Sequence, residues 1–210
     1  MTLSLSLFMA FLAVITTLLL APGPSVWLAI HNGLTHGVRA AVIGILGNVV
    51  AFQGLMALSA MSLSAVIQIA TPGLLIMKYA GGAYLGYLGL RLLIAPTGTI
   101  SRGAGEGSDP TRVWRLFRQA FLVTVSNPKA LMFVVALLPQ FVDPDHAVLP
   151  QWGLMAMTTV IVHFCVYWGY AVAGHKASRY LLDARIRRFY NGASSVLFLG
   201  FAVGWMFGSW

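Results

Sequence analysis

The sequence predicts an all-α, polytopic membrane protein whose six transmembrane helices form two inverted three-helix repeats. Three observations lead there. The 210-residue chain is 59% hydrophobic and only 9% charged, against about 25% charged residues in an ordinary soluble domain, so it carries too little polar surface to face water. Once charges and turn residues are taken as boundaries, six long apolar segments emerge, and a polar stretch near the middle divides them three and three. Helix-breaking clusters, Pro22-Gly23-Pro24 and Asn127-Pro128-Lys129, interrupt the apolar runs about half a chain apart.

The first segment runs from Leu5 to Ile30. No Asp, Glu, Lys or Arg occurs between Met1 and Arg39, and a crossing needs about 20 apolar residues, so this stretch accommodates one helix and a turn. The run from Leu3 to Leu20 lacks a basic lead and has too long an apolar core for a secretion signal, so it reads as the first membrane helix. The second segment, Ala41 to Gln68, is again free of charge. The third, Leu74 to Ile94, carries Gly81, Gly82, Gly86 and Gly89, a stripe of small residues that lets helices approach closely. A flexible polar stretch from Ala95 to Asp109 follows, containing Pro96, Gly98, Gly103, Gly105 and Gly107.

The fourth segment, Gln119 to Phe141, gains an interfacial lead-in over Arg112 to Arg118, where Arg recurs every third position between apolar residues. With a helix start near Arg112, Pro128 lies about sixteen residues in, close to the depth of Pro22 in the first helix. The fifth segment is Pro150 to Val172. The sixth, Phe189 to Trp210, repeats glycine at Gly200, Gly204 and Gly208. Internal packing and a homodimer face both account for the glycine stripes of segments three and six. The expected organisation is a single membrane domain over 1–210: a first repeat at 1–94, a cytoplasmic linker at 95–111, and a second repeat at 112–210.

Because three is odd, the second half enters the membrane inverted, the topology of inverted-repeat transporters. The loops after helices one, three and five hold Arg39; Arg91, Arg102, Arg112, Arg115 and Arg118; and Lys176, Arg179, Arg185, Arg187 and Arg188, together eleven of the thirteen basic residues. The opposite side has Lys78 and the acidic turn Asp143-Pro144-Asp145. The positive-inside rule places the basic loops in the cytoplasm and both termini in the periplasm. It also accounts for the net charge of +8 without a nucleic-acid partner, and sets basic loops against anionic lipid headgroups.

Proline costs about 3 kcal/mol in a helix interior and lysine in hydrocarbon at least about 2.5 more, so neither breaker cluster suits a purely structural span. Paired interruptions in two halves point to a transporter's substrate site. Breaking a helix in hydrocarbon frees carbonyls before the break and amides after it. The positive end of the half helix after Pro22-Gly23-Pro24 would favour a carboxylate; an ordinary proline kink is the alternative. The substrate-binding candidates are Pro22, Gly23, Pro24, Asn48, Asn127, Pro128 and Lys129. Lys129 could pair with a substrate carboxylate, give up its proton during coupling, or snorkel to the interface. His163, in the middle of segment five, is the proton-coupling candidate because an imidazole titrates around pH 6.5; a buried neutral ring bonded to a neighbouring helix is the other reading. Asn48 and Gln53 could line the path or bond between helices. Lys78 reads as a snorkelling residue.

The single cysteine, Cys165, rules out an intramolecular disulfide. The five histidines are scattered and no span contains a carboxylate, so neither a metal site nor a cofactor is expected. Paired aspartates and a serine with an adjacent base are also missing, so no catalytic residues are assigned and the chain does not read as an enzyme.

The run Ala21-Pro22-Gly23-Pro24, with GLTHGVRAAVIGILG from Gly33 to Gly47, resembles the start of the bacterial lysine-exporter and homoserine/threonine-exporter family. KYAGGAYLGYLGLRLL from Lys78 to Leu93 is similar to that family's third helix, and FLVTVSNPKA from Phe121 to Ala130 with Leu138-Pro139-Gln140-Phe141 to its fourth. The resemblance implies a six-helix permease of the bacterial inner membrane that exports amino acids or related metabolites, in exchange for protons. Its matching positions here are Pro22, Gly23, Pro24, Asn127, Pro128, Lys129, Lys78, Gly81 and Gly82. Relatives often carry an acidic residue in helix five near the place of His163. The expected function is therefore secondary active export, with efflux of another small solute or metal ion, or a membrane-embedded enzyme, as alternatives.

Overall fold

The computed structural model describes residues 4–61, 66–94, 110–143, 145–178 and 184–207. The expected linker residues 95–109, Gly208 and the side chain of Lys78 lie outside the described residues. All regular structure among them is helical.

Helix α1 spans Leu5–Leu20, capped by Ser4, whose hydroxyl accepts from the Leu7 amide at 3.3 Å. Pro22 and Gly23 break the chain, and α2 opens on Pro24 and continues to Met61. It has two arms that meet at Gly37, where φ is 82° and ψ 167°. A residue with a side chain is strained at that φ, so glycine marks the turn between the arms. The Arg112 guanidinium lies 3.2 Å from His36 Nδ1 beside the turn. Helix α3 is Val66–Leu93 and α4 is Pro110–Val125. After a break at Ser126 and Asn127, α5 (Pro128–Met132) passes into a π-helical turn, Phe133–Leu137, and a 3₁₀ turn, Leu138–Phe141. Helices α6 (Val148–Ala177) and α7 (Ala184–Phe207) complete the order.

The two halves share a sequence of elements. Helix α1 has 16 residues, a short break and then a helix opening on Pro24; α4 has 16 residues, a short break and then a helix opening on Pro128. Proline is suited to the first position of a helix, where its missing N–H costs nothing.

Some boundaries differ from the sequence reading. The second segment was expected to run to Gln68, whereas α2 ends at Met61 and α3 already begins at Val66 rather than Leu74. Hydrophobicity alone cannot mark where one helix gives way to the next, because Met61 to Ile76 carries no charge and has only Ser62, Ser64, Gln68 and Thr71 as polar residues. The fourth helix starts at Pro110, ahead of the arginine-rich lead-in.

Helix α2 packs against α4 and α6, α3 against α7, and α1 against α6. One core, with Phe11, Ile15, Ile45, Phe52, Phe133 and Met155, joins α1, α2, α6 and the segment after α5. The other, with Leu28, Leu85, Ala120, Val123 and Phe198, joins α2, α3, α4 and α7. Glycines set the closest crossings. A Cβ on Gly33 would stand 2.0 Å from the Ala171 carbonyl oxygen, and one on Gly174 would stand 2.4 Å from that of Ile30, so the first arm of α2 and α6 touch backbone to backbone. The α3 glycines are used internally: Gly82 faces Met206, Gly89 faces Leu199 and Gly81 faces Ser126. On α7, Gly200 and Gly204 have nothing within 4 Å among the described residues.

The outer surface is apolar. Leu149, Phe189 and Phe207 are each more than three-quarters exposed, a surface that water would penalise and lipid would not. Among the described residues, Pro24–Ala60 and Val148–Ala177 are long and apolar enough to cross a membrane.

Candidate functional site

The two breaks, about a hundred residues apart in sequence, meet in space. In an unbroken helix the carbonyls of Leu18 and Leu20 would accept from the amides of residues 22 and 24, and both are prolines without an N–H. The donors come instead from the second half of the chain. Lys129 Nζ donates to Leu18 O at 2.8 Å and to Ala21 O at 2.6 Å, while Tyr170 Oη donates to Leu20 O at 2.7 Å. A cation at the carbonyl end of α1 is also favoured by that helix's dipole.

Gly23 allows the approach. A Cβ there would stand 3.4 Å from Lys129 Nζ and 3.6 Å from Cε. The ammonium therefore sits at the mouth of the first break, beside the start of α2.

A buried relay of side chains ties the breaks together. Asn127 caps α5, its Oδ1 accepting from the Lys129 amide at 3.1 Å. Its Nδ2 donates to Ser25 Oγ at 3.1 Å, Ser25 and Thr124 hydroxyls stand 3.2 Å apart, and Thr124 donates to Asn48 Oδ1 at 2.6 Å. Since Thr124's proton goes to Asn48, Ser25 is the donor in the middle bond. Every side chain in the relay is at most 2% exposed. Polar groups in such a setting are costly unless paired, and these pair with one another across both arms of α2, α4 and the α5 cap.

The sequence-predicted residues thus divide. Pro22, Gly23, Pro24, Asn127, Pro128 and Lys129 are brought together at the junction, and Asn48 joins them through Thr124. His163 stands apart from the relay, its ring 5.5 Å from Phe52 and 4.3 Å from Tyr167, centroid to centroid. The bonded-imidazole reading does not hold among the described residues, where neither ring nitrogen has a hydrogen-bond partner. Gln53 bonds between helices, donating to Ala156 O at 3.3 Å.

Sequence reasoning missed Ser25, Thr124, Tyr167 and Tyr170. Ser25 directly follows the breaker cluster and Thr124 lies three residues before Asn127, so polar residues flanking a break were the available signal. Tyr170 carried none. Its role depends on α6 lying against the end of α1, and Tyr167 likewise acquires meaning from lying next to Ser25.

Chemically, the junction offers a fixed ammonium, the positive end of a helix and a closed set of neutral hydrogen bonds. Such a place is electrostatically suited to an anionic group.

The comparisons with known proteins agree with a transport role. The family model for the LysE type translocator matches residues 16–208. An uncharacterized membrane protein of Vibrio cholerae serotype O1 is 30% identical over 195 residues, 92% of this chain and 93% of the relative. A homoserine/homoserine lactone efflux protein of Salmonella typhimurium is 29% identical over 194 residues, covering 90% and 91%. A leucine efflux protein of Salmonella choleraesuis is 30% identical over 190 residues, covering 88% and 87%. No solved structure matches. With a family model matched over nearly its whole length, the chain belongs to the LysE type translocators, membrane proteins that move solutes rather than enzymes that transform them.

Proposed function

We propose that this protein exports an amino acid or a closely related metabolite across the bacterial inner membrane by secondary active transport coupled to protons. The observation that carries this reading is the contact of Lys129 with the carbonyls of Leu18 and Ala21. It puts a cation where a substrate carboxylate would find the start of α2, and it joins the halves that must move. When a carboxylate arrives, the ammonium exchanges backbone carbonyls for substrate, α1's end is released, and the halves rock about the junction. Alternating access in inverted-repeat transporters proceeds by such a motion around a fixed site. Six spans, periplasmic termini and inverted halves belong to this proposal and rest on the loop charges and on the matched 16-residue helices before each break.

The efflux names of the relatives support the substrate class. Reconstitution of the full chain in proteoliposomes tests it, with counterflow of a panel of labelled amino acids under an imposed proton gradient. At least one amino acid should exchange, faster with the gradient, and Lys129→Ala should abolish it. Exchange that is unaffected by Lys129→Ala would remove the assigned role, and exchange of no amino acid would turn the proposal toward another small solute.

A further inference from the structure

An arginine at the elbow of α2 bonds to a partner that its chemistry does not favour. Arg112, in the first turn of α4, reaches His36 Nδ1 at 3.2 Å, next to Gly37 where the two arms of α2 meet. A guanidinium only donates, so the imidazole accepts on Nδ1 and is neutral, with its proton on Nε2. The planar fork of an arginine matches a carboxylate or a phosphate, which takes two parallel bonds from it; here it meets one neutral nitrogen. Arg115, exposed and three positions along the same side of α4, also acts on His36 electrostatically. Among the described residues the carboxylates are Asp143 and Asp145, both in the turn ahead of α6, where Asp143 bonds to His146. The cations at the elbow have no anion among the described residues.

The surface around them is layered. Trp114, 60% exposed, lies between the two arginines in the chain, and an exposed indole suits headgroup depth. Further along α4 the surface turns apolar: Leu122, seven residues beyond Arg115 and on the same side of the helix, is exposed. The second arm of α2 repeats the order, with exposed Arg39 followed seven residues later by exposed Leu46. A free anion would use only the cationic layer. A phosphate joined to hydrocarbon chains uses both, and basic pockets between membrane helices take such headgroups.

We infer that His36, Arg112 and Arg115 hold the phosphate of an anionic phospholipid of the cytoplasmic leaflet, with its acyl chains over the apolar surface beneath. Arg112 offers five N–H groups and spends one on His36, whose Nε2–H remains as a further donor. This goes beyond the general attraction of basic loops to headgroups, because one phosphate joins the elbow of α2, in the first half of the chain, to the start of α4, in the second. It does not depend on which solute the protein moves.

The full chain in neutral detergent micelles, titrated with phosphatidylglycerol, phosphatidylcholine or inorganic phosphate, tests the site through its thermal unfolding midpoint. Phosphatidylglycerol should raise the midpoint of the wild type and the other two should not. Arg112→Gln/Arg115→Gln should need at least ~10-fold more phosphatidylglycerol for the same rise. Arg115→Gln should weaken the response more than Arg188→Gln, which removes the same charge from an exposed position on α7. Equal weakening by those two single changes would reduce the effect to general charge attraction and overturn the site. An equal rise with inorganic phosphate overturns the lipid, and an equal rise with phosphatidylcholine overturns the need for an anion. If the double variant does not fold, Arg115→Gln alone must weaken the response, and an unchanged response refutes the assignment.

Discussion

Thr124→Val is the sharpest probe of the relay that joins the two breaks. Valine has nearly the shape of threonine, so the substitution opens no cavity and removes only the hydroxyl. That hydroxyl makes two bonds, 2.6 Å to Asn48 Oδ1 and 3.2 Å to Ser25 Oγ. Hydrogen bonds between membrane helices contribute about 0.6 kcal/mol on average and up to about 1.7, so two of them amount to about 1–3 kcal/mol. Leaving Asn48 Oδ1 without the Thr124 donor and the Ser25 hydroxyl proton without the Thr124 acceptor, in a fully buried place, pushes the cost toward the upper end of that range. The unfolding equilibrium should then shift by about 5- to 150-fold at about 1.4 kcal/mol per tenfold. The assay is reversible unfolding in mixed micelles for wild type, Thr124→Val, Ser25→Ala and the double variant. The single changes should not add, with a coupling of about 0.6–1.7 kcal/mol for the bond they share. A Thr124→Val protein as stable as the wild type, or strict additivity in the cycle, would refute the relay.

Two further perturbations address the junction and the crossings. Tyr170→Phe removes the donor that replaces the missing amide at Leu20 O; it should cost about 1 kcal/mol in the same unfolding assay and slow counterflow, and an unchanged stability would show that the carbonyl has another partner. Gly33→Ala places a methyl 2.0 Å from the Ala171 carbonyl oxygen and should lower stability by about 1–3 kcal/mol, while Gly153→Ala, with nothing within 4 Å, should leave the melting midpoint nearly unchanged.

How much was legible beforehand depended on how local the cause was. The breaks were readable because proline acts on its own helix: a missing N–H and a fixed φ disfavour the helix interior, and at Pro22 and Pro24, with a glycine between them, they end it. For the same reason the paired openings on Pro24 and Pro128 were visible in one dimension. The boundary between α2 and α3 was not, since the chain from Met61 to Ile76 has neither a charge nor a glycine until Gly73, and Pro72 lies within α3. Lys129 was singled out as the charge in the interior, but its present partners were not foreseen. They are backbone carbonyls, which look the same at every residue of a sequence.

The sequence by itself determined the apolar class, the helical content, the places where helices break, and enough resemblance to name a family of translocators. Each of these follows from residue chemistry that acts locally or sums over the chain. Only the tertiary structure decided what satisfies the broken ends. Lys129 and Tyr170 reach the carbonyls that Pro22 and Pro24 orphan, Asn127 reaches Ser25, and Thr124 reaches Asn48. Such pairings depend on which helix faces have been brought together, and close crossings at Gly33 and Gly174 set that for α2 and α6. The physical reason is that a hydrogen bond is directional and short, so its partner is chosen by position in space and not by distance along the chain.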